Sequence, residues 1–387
     1  MSPFKLLLDG EVYAPLPRGR CHLLVAHDRI VWMGPEAPTL PAVLGAEEIR
    51  LEGRRVIPGF VDGHVHLAGG GGEGGFGHRT PPVTAADLLR GGTTTVVGVL
   101  GTDDVTRSPA ELVAAARRLA ADGLTAFCLT GGYHLPAATI TGSVTGDIMH
   151  IDPILGVGEI AVSDHRSSHP TTVDLVRVAG EAHLGGLLAG KPGLTHLHLG
   201  DGDSGLAPVR DAIESSDLPA RVFQPTHVNR RRALFDEAIE LAARGCNIDV
   251  TAFPVGPDED AWSAADAVLR FLEADLPPER LTVSSDAGGS LPVFDDTGRL
   301  IDIEAASPAA LAQTLTALLA RGTALEHVLP AFTCNAARFL GIDDRGVLIP
   351  GAMADLVVLD ADGGVKDVMA RGNWRVRDGH FSEGPTR

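Results

Sequence analysis

Residues 56–67, VIPGFVDGHVHL, decide the fold because they join a short apolar strand to two histidines at its end. His64 and His66 are two residues apart, and side chains at that spacing on a strand point to the same face, so both imidazoles can reach one metal ion. Two partly exposed loop histidines would give the same pattern. The stretch therefore predicts a barrel-type strand. It also indicates a metal site, and further ligands elsewhere in the chain are needed to support that hypothesis.

Beyond this stretch, short apolar runs alternate with longer helical segments, which is typical of βα units in a parallel sheet. Eight runs are predicted as strands: 56–67, 93–101, 125–133, 154–164, 194–200, 220–228, 246–252 and 281–289. Helices are predicted at 109–123, 172–190, 230–245 and 261–274, with Asn229 as the N-cap of the third. Eight strands close a barrel, so the predicted fold class is α/β, a (β/α)8 TIM barrel.

Both ends of the chain consist of short predicted strands separated by turns. Neither end has enough strands to bury a face by itself. We therefore predict one small β-sandwich domain built from residues 1–56 and 346–387, and a TIM-barrel domain at 57–345.

Composition excludes several classes of protein. The 387 residues carry 50 Asp and Glu against 32 Lys and Arg, a net charge of −18 that would repel nucleic acid. No apolar run approaches the ~18 to 20 residues that span a bilayer. The four cysteines are far apart with no C-x-x-C spacing, which argues against a zinc ribbon and a disulfide framework. We expect a cytoplasmic protein without nucleic-acid or membrane partners.

Three more strands end in a residue that can bind metal: His198, His227 and Asp286. In a barrel these ends form the C-terminal face, where active sites are built. Buried imidazoles and carboxylates are rarely placed without partners. Together with the first histidine pair, these residues exceed what one tetrahedral zinc needs, so two divalent metal ions that share a bridging ligand are predicted, with Zn²⁺ as the expected ion.

Several segments resemble a known family. PGFVDGHVHL and the closing PGAMADLVVLD resemble the amidohydrolase superfamily, metal-dependent hydrolases with a barrel and a small β-sandwich. GHVHLAGGGGEGG, TGGYHLPAATITGSV, SDHRSS, PTHVNR and SSDAGGSLPVFDD resemble the isoaspartyl (β-aspartyl) dipeptidases within it. The resemblance implies hydrolysis of β-aspartyl dipeptides, a small-molecule dipeptide as the partner, and a homo-oligomer, with an octamer as one expected form.

One position departs from the family pattern. The best-known members bridge their metals with a carboxylated lysine on the fourth strand, where this chain has Glu159. The only lysines are Lys5, Lys191 and Lys366, so none is available on that strand. A carboxylate can bridge as a carbamate does, since both are monoanions with two oxygens. We predict that Glu159 bridges the metals; the alternative is an unrelated strand residue and a missing bridge.

The constellation and the resemblance together assign roles. The expected metal ligands are His64, His66 and Asp286 for the more buried ion, His198 and His227 for the more exposed one, and Glu159 with a hydroxide between them. Asp286 is the expected general base and acid, and Tyr133 the hydroxyl that polarises the scissile carbonyl. The expected substrate residues are Glu73 for the α-ammonium, Gly71 and Thr102 along the pocket, and Arg166, Arg230 and Ser290 for carboxylates.

The sequence leaves alternatives open for several residues and for the reaction. The glycine run around Glu73 also fits a flexible linker, and the arginines after residue 229 also fit a solvated basic cluster. The same machinery could hydrolyse another amide, such as a cyclic imide, a hydantoin or an N-acyl amino acid, and a non-catalytic binding scaffold is a further reading. Strand parity places His165 and His196 outside the site, while His78 and His134 are left open, as are the physiological metal and the preferred C-terminal residue of the dipeptide.

Overall fold

The computed structural model describes residues 2–294, 297 and 299–382. Its strands are β1 (Phe4–Tyr13), β2 (Pro17–Ala26), β3 (Arg29–Gly34), β4 (Glu47–Arg50), β5 (Arg55–Pro58), β6 (Phe60–Val65), β7 (Thr93–Gly98), β8 (Thr125–Thr130), β9 (Ile154–Val162), β10 (Leu194–Leu199), β11 (Phe223–Thr226), β12 (Ile248–Thr251), β13 (Leu281–Ser284), β14 (Ser290–Phe294), β15 (Leu300–Ala305), β16 (Leu356–Leu359), β17 (Val365–Ala370), β18 (Asn373–Arg377) and β19 (His380–Phe381). Its α-helices are α1 (Ala85–Arg90), α2 (Pro109–Ala121), α3 (Val144–His150), α4 (Thr172–Ala189), α5 (Ala207–Glu214), α6 (Arg232–Ala243), α7 (Ala264–Glu273), α8 (Ala310–Ala320), α9 (Leu325–Phe332) and α10 (Cys334–Phe339).

The eight predicted barrel strands are all present, as β6 to β13. Strands β6 to β11 form one continuous parallel sheet, and β12 pairs in parallel with β13. The ring closes where Val65 bridges Ala287 and where the Asp62 carboxylate accepts a hydrogen bond from the Ser285 backbone N–H at 3.2 Å. The predicted α/β barrel is therefore confirmed.

The stretch that begins the barrel divides at one glycine. Residues 55–58 form β5, which belongs to the sheet of the chain ends, and the barrel strand β6 starts only at Phe60. The Gly59 backbone N–H donates to the Asp355 carbonyl, and a Cβ on Gly59 would lie 2.2 Å from the Thr94 hydroxyl oxygen. A glycine is therefore needed where the chain passes between the two sheets.

Three of the predicted barrel helices begin at side-chain caps. Ser108, Thr171 and Ser263 accept hydrogen bonds from backbone N–H groups in the first turns of α2, α4 and α7. The predicted cap of α6 is wrong, because Asn229 is buried before the helix, which starts at Arg232. The Asn229 side chain instead accepts from the Thr251 N–H at 2.9 Å and donates to the Trp262 carbonyl at 2.9 Å.

The two chain ends share one nine-stranded sheet, in the order β19-β18-β17-β16-β5-β1-β2-β3, with β4 beside β1. Side chains alternate along its central strand β16: Leu356 and Val358 pack with Leu7 and Leu23, whereas Val357 joins the hydrophobic cluster of the barrel. One face of the sheet thus holds its own core and the other packs on the barrel. The domain boundaries 1–56, 57–345 and 346–387 remain predictions.

Candidate metal centre and active site

Four histidines and two carboxylates meet at the C-terminal ends of the barrel strands. Strands β6, β10, β11 and β13 each end within two residues of a metal-type residue, and β9 carries Glu159 near its end. Three groups have ligand atoms within 4.8 Å of one another: His64, His66 and Glu159; His64, His227 and Asp286; and Glu159, His198 and His227. The overlap of these groups forms one cluster that can hold metal.

Glu159 lies at the centre of this cluster and is 1% exposed. Its Oε2 atom is 3.0 Å from His198 Nδ1 and 3.6 Å from His227 Nε2, while its Oε1 atom is 3.5 Å from His66 Nε2. The two carboxylate oxygens therefore face different histidines. This is the arrangement that a bridging ligand requires.

An irregularity in β9 turns Glu159 toward the barrel axis. Between Val157 and Ile160 the strand advances three residues while β10 advances two, so β9 carries one extra residue, a β-bulge. Gly158, inside the bulge, has φ of 145°, and a Cβ there would lie 2.5 Å from the His196 carbonyl oxygen. A glutamate side chain is shorter than a carboxylated lysine, and the bulge shifts the strand locally at the position of this shorter side chain.

The electrostatics of the cluster fit a bound cation. Burial would lower the pKa of His64, but Glu159 and Asp286 beside it raise that pKa to about 9. His64 Nε2 and Asp286 Oδ1 are both buried without a hydrogen-bond partner and lie 3.4 Å apart. Burial lowers the pKa of His227 to about 3, so this imidazole is neutral and free to act as a ligand. The two carboxylates thus favour a positive charge beside His64, and imidazoles together with carboxylates are a ligand set that divalent transition metals prefer.

The prediction that His196 lies outside the site is wrong. His196 and His198 have the same two-residue spacing as His64 and His66, and both point inward. His196 Nε2 is 2.8 Å from His64 Nδ1, and His196 Nδ1 is 2.9 Å from Gln224 Oε1. Because Gln224 Oε1 accepts, His196 donates from Nδ1 and accepts at Nε2, so His64 Nδ1 must donate. This leaves Nε2 as the His64 nitrogen that faces the cluster and would bind a cation in place of a proton.

Replacing His196 by leucine is expected to weaken metal binding by about 10- to 100-fold, since leucine has no acceptor for the His64 Nδ1 proton. Competition with a coloured chelator measures this affinity without reference to activity. The matched control is His150→Leu, at an exposed histidine at the end of α3. An unchanged metal affinity in His196→Leu would show that His64 is oriented by other groups.

Three of the predicted substrate residues converge on one carboxylate oxygen of a fourth, Glu73. Glu73 Oε1 accepts from the Thr102 hydroxyl at 3.0 Å, from Arg166 at 3.1 Å and from the Ser290 hydroxyl at 3.4 Å. Glu73 and Thr102 also line a pocket of about 260 Å³. The glycine loop therefore holds its acid at a defined place, and the linker reading does not describe it.

Gly71 shapes the loop that carries Glu73 through its backbone conformation. Its φ is 77°, it bridges Arg79 across the loop, and a Cβ there would lie 2.7 Å from the His78 carbonyl oxygen. A side chain at this position would push the start of the Glu73 loop away from His78 and Arg79, at the other end of that loop.

Tyr133 and the two arginines border the metal cluster at His198. The Tyr133 hydroxyl is 2.9 Å from His198 Nδ1, and Arg166 and Arg230 nitrogens lie 3.4 Å and 3.3 Å from His198 Nε2. Burial holds the pKa of the Tyr133 phenol well above its usual range, so this hydroxyl remains a hydrogen-bond donor. Arg230 also donates to the Leu199 carbonyl and pairs with Asp201 at 3.2 Å.

Asp164 is a site residue that sequence reasoning missed. Its Oδ2 atom is 2.6 Å from an Arg166 nitrogen and 3.2 Å from His198 Nε2. Burial would raise the pKa of Asp164, but its hydrogen bonds with His198 and Arg166 hold it far below its usual range. Asp164 therefore fixes Arg166 beside the cluster, and its position directly after β9 is the signal that could have identified it.

Three further histidines near the site, His134, His78 and His165, do not belong to the metal cluster. His134 is 2.8 Å from an Asp104 oxygen and 3.0 Å from the Arg166 carbonyl oxygen, so it supports the loop that carries Arg166. His78 Nδ1 lies 2.8 Å from the Gly74 carbonyl oxygen in the glycine loop. His165 points away from the cluster with its side chain 91% exposed, as its parity predicts.

Comparison with known proteins places this architecture in a class. The model of the amidohydrolase family matches residues 263–375. The β-aspartyl dipeptidase of Fervidobacterium islandicum AW-1, solved in complex with the β-Asp-Leu dipeptide, is 36% identical, with each chain covered over 100% of its length and a TM-score of 0.91. The D-hydantoinase of a Thermus species is 15% identical with a TM-score of 0.66, which shows a shared fold. Among curated sequences, the imidazolonepropionase of Streptomyces coelicolor is 27% identical over 93% of this chain and 88% of its own.

The barrel, the rim of histidines and carboxylates and these matches define an amidohydrolase. Within that class the chain belongs to the family of the β-aspartyl dipeptidases. None of the helices in the described part of the chain is long and apolar enough to cross a membrane.

Proposed function

We propose that this protein hydrolyses β-aspartyl dipeptides with two divalent metal ions, Zn²⁺ being the expected ion. The observation that carries this proposal is the position of Glu73. One guanidinium nitrogen of Arg166 contacts the Glu73 carboxylate at 3.1 Å, and another lies 3.4 Å from His198 in the metal cluster. An acid for an ammonium group and arginines for carboxylates thus border one reaction centre.

The charges of the substrate match these residues one by one. A free β-aspartyl dipeptide carries one ammonium and two carboxylates. Glu73 can receive the ammonium, and Arg166 and Arg230 present guanidinium groups suited to carboxylates. Without substrate, Glu73 and Arg166 form an ion pair at 3.1 Å, and the substrate ammonium and a substrate carboxylate would each take the place of one member of that pair.

The chemistry combines the cations with the protein's own groups. Two divalent cations held by His64, His66, Glu159, His198, His227 and Asp286 would lower the pKa of a shared water. The Asp286 carboxylate accepts a proton as the water oxygen adds to the scissile carbon. It returns that proton to the nitrogen as the carbon–nitrogen bond breaks. The Tyr133 hydroxyl donates to the carbonyl oxygen as negative charge develops there.

The deciding experiment measures metal content and hydrolysis of β-Asp-Leu in one preparation. We expect two zinc ions per chain and a kcat/KM for β-Asp-Leu well above those for a hydantoin, a cyclic imide and an N-acyl amino acid. Imidazolonepropionate is a further comparison substrate, because curated relatives carry that name. A preference for a cyclic substrate would favour the second candidate, an amidohydrolase acting on another amide. Purified protein without metal would favour the binding scaffold.

Replacing Glu73 by glutamine is expected to lower kcat/KM for β-Asp-Leu by about 10- to 100-fold, through KM, because a charged hydrogen bond to the ammonium is lost. N-acetyl-β-Asp-Leu lacks that ammonium and serves as the matched control. The wild type and the variant should hydrolyse it at similar rates. An equal loss on both substrates would show that Glu73 acts by holding Arg166 instead.

The assembly and the location are also proposals. We propose a cytoplasmic homo-oligomer, with an octamer as one form to test. Light scattering after size-exclusion chromatography gives the mass directly, and a monomer would contradict this proposal.

A further inference from the structure

A second pocket lies at the opposite end of the barrel from the metal cluster. Its volume is about 630 Å³, and its lining includes Leu194, Val222, Asn247 and Arg280. These residues start or directly precede β10, β11, β12 and β13, whereas His198, His227 and Asp286 lie at or just beyond the far ends of β10, β11 and β13. The pocket is therefore separate from the catalytic site.

The charge of this pocket is opposite to that of the molecule. Lys191, Arg221, Arg280 and Arg338 line it, and Glu279 is the acid among its lining residues. The chain as a whole carries a net charge of −18. A local surplus of cations in an acidic protein attracts an anion at short range, where bulk repulsion is screened.

The three arginines have unused donors. Within the described residues, no carboxylate lies within 4.0 Å of the guanidinium group of Arg221, Arg280 or Arg338. The one side-chain contact of this trio is weak, from Arg280 to Asn247 Oδ1 at 3.5 Å. Other arginines of this chain, such as Arg166 and Arg345, form ion pairs with aspartates.

Lys191 has a different role in the pocket. Its Nζ donates to the carbonyl oxygens of Ile148, Ile151 and Ile154 at 2.7, 2.8 and 3.0 Å. All three of its donors are thereby used, so it supplies a fixed positive charge to the wall and no hydrogen bond to a ligand. The three arginines are therefore the cations that would hydrogen-bond a ligand.

We propose that this pocket binds the phosphoryl group of a small organic phosphate. Guanidinium groups match phosphate oxygens in bidentate fashion, and a phosphate monoester offers three such oxygens to three arginines, where a carboxylate offers two. Leu187, Pro192 and Phe339 form an apolar wall beside the charges, which suits an organic body. The volume lies within the ~300–1,000 Å³ of typical small-molecule sites.

Calorimetric titration of the full-length, metal-loaded protein tests the site with adenosine monophosphate, inorganic phosphate and uncharged adenosine. We expect the monophosphate to bind and to raise the melting temperature, since a ligand of the folded state stabilises it. If inorganic phosphate binds as well, the affinity comes from the contacts of the arginines with the phosphoryl group. If only the monophosphate binds, contacts with the organic part of the ligand contribute to the affinity too. If neither anion binds, or adenosine binds as well as its monophosphate, the proposal is wrong.

The double variant Arg221→Gln/Arg338→Gln separates this pocket from the metal centre, which could also attract phosphate. Both side chains are exposed, so the variant should fold. We expect its Kd for the monophosphate to rise at least about tenfold, with β-Asp-Leu hydrolysis unchanged. The matched control is Arg117→Gln, at an exposed arginine of α2, which should bind as the wild type does. An unchanged Kd in the double variant would place the anion elsewhere and overturn the proposal.

Discussion

Replacing Glu159 by alanine is expected to reduce bound zinc from two ions per chain to one or fewer, and kcat/KM for β-Asp-Leu by about three orders of magnitude or more. The reason is the central place of this carboxylate: its oxygens face His66, His198 and His227 at 3.0 to 3.6 Å. Removing it leaves the histidines without the anion that offsets the charge of two cations. Metal analysis after dialysis and steady-state kinetics measure both effects.

Two further variants make this test specific. Glu159→Gln keeps the shape of the side chain but loses its charge, and it should also lose metal, since a neutral amide is a poor bridge. Glu240→Ala removes an exposed glutamate of α6 and should retain two ions and full activity. Burial would raise the pKa of Glu159, but His64 and His198 hold it well below its usual range, so the group is charged at every working pH. Two tightly bound zinc ions and normal turnover in Glu159→Ala would end the bridging hypothesis.

Replacing Asp286 by asparagine is expected to lower kcat by about 10²- to 10⁴-fold, the usual contribution of a positioned proton-transfer group, with a much smaller change in KM. Asparagine keeps one oxygen near His66, which is 3.0 Å from Asp286 Oδ1, but it cannot accept and return a proton. Initial rates across a range of β-Asp-Leu concentrations separate kcat from KM.

Metal content decides how the loss in Asp286→Asn is interpreted. If two ions remain and kcat is low, the lost function is proton transfer. Thr102→Val, which removes a hydroxyl that contacts Glu73 at 3.0 Å, gives the contrasting pattern, a raised KM with kcat nearly unchanged. A near-normal kcat in Asp286→Asn with both metals bound would assign the general base to another group.

Local patterns predicted much of the candidate site. Each of His64, His198 and His227 follows an apolar run whose length and neighbours mark a buried strand, and parallel strands in a closed barrel bring such ends together. The same reasoning failed at His196 because its parity was misjudged: it shares the spacing of the metal-type pairs but lies one layer deeper, against His64. It also failed at Asn229, whose preference for a helix cap is outweighed by three hydrogen bonds that join its side chain to Thr251, at the end of β12, and to Trp262, just before α7.

The sequence alone determined the α/β barrel, the sheet shared by both chain ends and the exclusion of a lysine bridge, and it predicted the residues of the candidate metal cluster, because these follow from local periodicity, strand-end position and composition. Only the tertiary structure decided how Glu159 reaches the histidines, through a bulge in β9 whose register depends on two neighbouring strands. It also decided that Glu73 joins Thr102, Arg166 and Ser290, and that three arginines far apart in the chain line one pocket. Such contacts join residues dozens to hundreds of positions apart, and no local pattern encodes their distances.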